Sequence, residues 1–166
     1  MYSSADYSIT PRPLYRSDGL KVFDIHSEPL SIRDEIKKDL GEFPFPSFWG
    51  PLAGIPSSQW ISNAAKWIEK KHQPDLNLIY LPHLDYDLQR YGPNDPICTK
   101  AIKEIDQLSG ALIDFLSQRG IKCIVLSEYG ITEAKRVIYP NRLFRHQGWL
   151  NIKEEFGLDT LDSGQS

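Results

Sequence analysis

The run Ile121-Lys-Cys-Ile-Val-Leu126 constrains this chain more than any other feature. It is almost continuously apolar and rich in β-branched side chains, which is the pattern of a strand buried on both faces. A second run, Leu76-Asn-Leu-Ile-Tyr-Leu81, also reads as a short strand. Between them Asp95-Pro96 opens the longest helical pattern, with Asp as the cap and Pro at the first helical position. Its apolar stripe runs through Ala101, Ile105, Leu108, Leu112 and Phe115, and Gly120 ends it. Strand, long helix, strand is a βαβ unit, right-handed and with parallel strands. The expected fold class is therefore α/β with a mainly parallel sheet.

The flanks are less regular. Residues 1–57 hold Pro11, Pro13, Pro29, Pro44, Pro46, Pro51 and Pro56, a spacing that forbids long helices and central strands. The same stretch carries Tyr2, Tyr7, Tyr15, Phe23, Phe43, Phe45, Phe48 and Trp49, too many aromatics for a disordered segment. We read it as an irregular, ordered covering segment with one short helix at Ser31–Leu40. A helix starting at Ser57 or Ser58 follows, with Trp60, Ile61, Ala64, Ala65 and Ile68 on one face. Residues 58–166 then form the α/β portion of a single domain. Its tail holds a helix near Asn141–Gln147, a strand at Trp149–Ile152 and a polar end from Leu158.

A chain of 166 residues can bury a sizeable core. Its net charge of −3 gives no footprint for a nucleic-acid polymer, and no apolar run reaches membrane-spanning length. Cys98 and Cys123 lie inside apolar patterns without metal-site spacing, so both are expected to be buried and reduced. No basic and apolar leader opens the sequence, which suggests a cytoplasmic protein.

In open parallel sheets, ligands bind beyond the carboxyl ends of the strands. That edge would carry His83, Asp85 and Asp87 after the first strand and Glu128 after the second. Carboxylates with an imidazole suit a divalent metal. Asp85 and Glu128, each just past a strand, are the better candidates. Asp87 reads as a solvated loop residue. His83 can hold the loop by a backbone hydrogen bond or ligate a metal. No glycine-rich phosphate loop follows either strand.

Two segments carry a resemblance: Leu81-Pro-His-Leu-Asp85 through Gln89 to Gly92-Pro93, and Leu126-Ser-Glu-Tyr-Gly130. Phe48-Trp-Gly-Pro51, Asn141-Arg-Leu143 and Gly148-Trp-Leu150 extend it. Together they resemble the type I phosphodiesterase/nucleotide pyrophosphatase family of the alkaline phosphatase superfamily. The resemblance implies part of a three-layer alkaline-phosphatase-like fold and an enzyme that hydrolyses phosphoric mono- or diesters or nucleotide pyrophosphates. It implies two divalent ions (Zn, Mn or Fe) and a small phosphorylated substrate. Asp85 matches the Asp ligand of the first metal, and Gln89 stands where the family has a His. Glu128 replaces the Asp ligand of the second metal, and Tyr129 replaces the adjacent His. His83 is a substitute nitrogen donor.

Nothing in residues 1–57 resembles the family's strand and Thr or Ser nucleophile, and a final His ligand has no counterpart. The resemblance thus implies a piece of a domain that a complementing chain would complete. The alternative is a degenerate relative that binds a phosphorylated ligand or a partner without turnover. A parallel sheet without its flanking strands would also expose edges and self-associate.

Overall fold

The computed structural model describes residues 4–166, so Tyr2 lies outside it. The chain divides into two compact units, Met1–Thr132 and Glu133–Ser166. The class is α/β. Among the described residues the only sheets are two antiparallel strand pairs.

The first unit begins with a hairpin where the sequence suggested irregular chain. Strands β1 (Ser8–Tyr15) and β2 (Lys21–Glu28) pair antiparallel, Ser8 opposite Glu28 and Tyr15 opposite Lys21. Pro11 and Pro13 are compatible with this because a two-stranded ribbon consists of edges. Asp18-Gly19 makes the turn, with Gly19 at φ 82°. Helix α1 spans Ser31–Leu40, as its apolar spacing predicts, and buries Ile32 and Ile36. Helix α2 spans Ile55–His72, starting two residues before the expected cap because Pro56 fits the first turn. It buries Trp60, Ala64, Ala65, Trp67 and Ile68.

Tyr7, Phe43, Phe45 and Phe48 cover α2. Phe43 meets Trp60 edge-on with centroids 5.3 Å apart, Phe45 at 5.0 Å and Phe48 at 5.2 Å. Tyr7 stacks on His72 at 4.3 Å. These edge-to-face contacts add to area burial by aligning each ring's positive edge with a neighbour's negative face. The core is completed by Ile25, Ile32, Ile36 and Ile68.

Buried charges here are answered. Asp24 accepts hydrogen bonds from Arg33 Nε at 3.0 Å, Lys37 Nζ at 3.2 Å and the Ile25 amide at 2.8 Å, with Arg33 Nη2 as a further partner. This locks α1 onto β2. Trp67 donates Nε1 to Asp39 at 2.7 Å, joining α2 to α1.

Helix α3 (Leu84–Tyr91) occupies a stretch the sequence suggested was loop. Leu84, Leu88 and Tyr91 are spaced for one helical face, a signal masked by the neighbouring proline and glycine. Helix α4 (Pro96–Ser117) follows the expected course. Asp95 caps it by accepting from the Ile97 amide at 2.9 Å. It buries Cys98, Ala101, Leu108, Leu112 and Leu116. Glu69 on α2 pairs with Arg119, just past α4, at 3.0 Å.

The two expected strands form no ladder. Ile79 and Ile121 pack on Ala65, Leu112 and Leu116, but other side chains of both segments face outward. Leu78 and Leu126 are each 86% exposed, and Leu76, Tyr80, Ile124 and Val125 are exposed as well. The parallel sheet expected from the sequence is therefore not present among the described residues. An apolar strand pattern becomes a ladder only when neighbours pair its backbone groups, and among the described residues these segments have none. Cys98 is buried as expected, whereas Cys123 shares the open segment and is exposed.

The second unit holds helix α5 (Pro140–His146) and a hairpin of β3 (Ile152–Glu155) with β4 (Leu158–Leu161). The strand starts later than expected, because 149–151 close the helix: the Trp149 amide donates to the Phe144 carbonyl at 2.9 Å. Phe156 and Gly157, at φ 56° and 76°, make the two-residue turn. Arg145 pairs with Asp159 at 3.2 Å, tying α5 to β4.

Candidate functional site

Asp85 sits in the first turn of α3, where a carboxylate is favoured by the helix dipole. Its Oδ1 accepts two hydrogen bonds. One comes from Gln89 Nε2 at 2.7 Å, a turn along the same helix. The other comes from Tyr129 Oη at 2.7 Å, 44 residues away in sequence. Ser127 shapes the incoming segment by donating Oγ to the Tyr129 carbonyl at 2.7 Å.

The Tyr129 hydroxyl is pushed up to about 12, chiefly by its hydrogen bond to Asp85, then by desolvation and the Asp85 charge, with Tyr80 adding in the same direction. Deprotonation would set a phenolate against a carboxylate, so the neutral phenol persists through physiological pH. Tyr80 was not among the site residues picked from sequence. Its place one residue before the end of the first strand pattern was the available signal.

The structure thus brings Asp85, Gln89 and Tyr129 together. Glu128 precedes Tyr129 and is exposed, with no ion pair among the described residues. His83 goes elsewhere. It is 7% exposed, and its Nε2 lies 3.1 Å from Glu104 Oε2 on α4. Its Nδ1 is buried without a partner. The imidazole thus meets a carboxylate of α4 at the start of α3, rather than the backbone partner expected if it held the loop. Asp87 lies 3.8 Å from Arg90 along its own helix.

A model of the type I phosphodiesterase/nucleotide pyrophosphatase family matches residues 1–162. The chain belongs to this family. An uncharacterized pyrophosphatase/phosphodiesterase of Schizosaccharomyces pombe is 33% identical over 87 residues, 48% of this chain and 18% of the relative. Human ectonucleotide pyrophosphatase/phosphodiesterase family member 1 is 27% identical over 107 residues, 59% of this chain and 12% of the relative. Venom phosphodiesterase 2 of Crotalus adamanteus is 28% identical over 85 residues, 48% of this chain and 10% of the relative. The matched stretch is thus less than a fifth of each of these relatives. No solved structure matches the chain at a significant level.

The phosphodiesterase family is generally dependent on divalent metal. The donors in this chain do not fit a two-metal cage. Among the described residues no group of three or more His, Cys, Asp or Glu is gathered closely enough to hold a metal ion. Asp85 instead faces an amide and a phenol, both donating hydrogen to it. No helix among the described residues is long and apolar enough to cross a membrane.

Proposed function

We propose that this chain contributes one edge of a hydrolase of phosphoric mono- or diesters or nucleotide pyrophosphates. Membership of the phosphodiesterase family supports the reaction class. The observation that carries the placement of the site is the Tyr129–Asp85 hydrogen bond, which draws the ends of two distant apolar segments together. In the completed parallel sheet that this reading requires, ligand sites form beyond the carboxyl ends of such strands.

The attacking group and most of the cation donors come, in this reading, from a complementing polypeptide that also covers the open segments 76–81 and 121–126. The outward apolar side chains there support such a partner, since large exposed apolar patches mark interaction surfaces. With those strands supplied, the two segments would enter the mainly parallel sheet of the alkaline-phosphatase-like fold. The substrate is a small phosphorylated molecule, and the cytoplasm is the compartment we assign. Metal dependence belongs to the completed site, with Zn, Mn or Fe as the candidate ions.

The test is cleavage of nitrophenyl phosphate mono- and diesters, by this chain alone and by the chain joined to the reading frames that flank it in the genome. The joined protein should cleave, and this chain alone should not. Glu128→Ala in the joined protein should lower turnover at least tenfold. A well-folded joined protein that cleaves neither ester with added Zn²⁺, Mn²⁺ or Fe²⁺ sinks the hydrolase reading. The second reading, a non-catalytic binder of a phosphorylated ligand, is favoured by the neutral donors around Asp85. Chelator-resistant nucleotide binding by an inactive joined protein would establish it.

A further inference from the structure

The side chains around Asp85 are arranged for hydrogen bonding. Both neighbours of Oδ1 are neutral donors at 2.7 Å, and both present a hydrogen to it. A cation approaching that oxygen would meet those hydrogens, and Gln89 and Tyr129 would have to turn away first. No imidazole is at hand, because His83 is held by Glu104. The bonds also reach in different directions along the chain. Gln89 fixes the Asp85 rotamer from within α3, and Tyr129 brings in residues 127–130. Few other described interactions fix that exposed segment beyond the internal Ser127–Tyr129 bond.

We propose that Asp85, Gln89 and Tyr129 form a cation-free clasp that fastens residues 127–130 to α3, so that Asp85 serves here as a hydrogen-bond hub rather than as a metal ligand. Two hydrogen bonds to one carboxylate oxygen are charge-assisted, and neither brings a counter-charge. The clasp stands whether or not the completed protein hydrolyses anything, and hydrolysis plays no part in its test.

Two measurements on the full chain decide the matter. In calorimetric titration with ZnCl₂ and MnCl₂, wild type should show no saturable binding that Asp85→Asn removes, down to a Kd of about 1 mM. In limited proteolysis with a glutamate-specific protease, Tyr129→Phe should speed cleavage after Glu128 roughly fivefold while the far-ultraviolet circular dichroism stays that of wild type, and a chelator should leave the wild-type rate unchanged. Saturable Zn²⁺ or Mn²⁺ binding that Asp85→Asn abolishes would overturn the proposal. So would cleavage after Glu128 at the same rate in Tyr129→Phe as in wild type.

Discussion

The covered core around Trp60 and the open segments 76–81 and 121–126 use the same kinds of side chain to opposite effect. Around Trp60, aromatics from the proline-rich stretch close over α2, and Asp24 and Asp39 are answered by Arg33, Lys37 and the Trp67 indole. In the open segments, Leu78, Val125 and Leu126 stand in solvent beside backbone that has no ladder partner. The first region is closed by residues near it in sequence. The second consists of strand-like sequences that pair with no strand among the described residues. Local closure is therefore enough to build a core, whereas a sheet is a collective object whose backbone groups must be paired from strand to strand.

The sharpest way to break this contrast is to hollow out the covered core. Phe43→Ala should cost about 3–4 kcal/mol, because Phe43 touches Phe45, Phe48 and Trp60 at once. Urea titration followed by tryptophan fluorescence would read it; a loss below about 1 kcal/mol would show the core to be loosely built. Next in size is Arg119→Ala. It strands the buried Glu69 carboxylate and should cost about 2 kcal/mol by the same titration. Glu69→Gln with Arg119→Ala should recover part of that loss.

The Asp24 network gives a smaller, pH-dependent effect. Burial alone would raise the Asp24 carboxyl, but hydrogen bonds from Arg33, the Ile25 amide and Lys37 hold it below its ordinary value of 3.8. A folded pKa below the unfolded one means that the charged form stabilises the fold. That contribution is fully present above about pH 4–5 and disappears as pH falls through the depressed folded value. Asp24→Asn should therefore flatten the decline in melting temperature between about pH 4 and pH 2. An unchanged decline would remove Asp24 from the account.

The smallest effect on stability is expected in the open segments. Leu78→Ser and Val125→Ser should each change it by less than about 0.5 kcal/mol, since neither side chain is covered. The same changes should reduce self-association in sedimentation velocity. A strongly destabilising Leu78→Ser would mean that the segment is covered after all.

What could be read from the sequence follows the same division. Helices α1, α2 and α4 were legible because apolar spacing and caps such as Asp95 are local signals. The amino-terminal hairpin was missed because Pro11 and Pro13 argue against central strands while leaving edge ribbons open. Helix α3 was missed because eight residues between Pro82 and Gly92 look like a loop. At the site, Asp85, Gln89 and Tyr129 could each be named as candidates through the family pattern, but the pair expected to converge was Asp85 with Glu128. That the phenol would donate to the carboxylate could not be read, since a hydrogen bond across 44 residues leaves no trace in spacing. His83 was ambiguous because its partner, Glu104, sits on a different helix.

The unequal settings of the two thiols supply a chemical clock. Cys98 is enclosed at the start of α4, and burial, with help from the charges of Asp95 and Asp87, pushes its thiol up, so it stays protonated and shielded. Cys123 stands in the open. An alkylating reagent should consume Cys123 at once and Cys98 only as often as α4 lets go, so the lag between the first and second adduct in a mass spectrum times the opening of that helix.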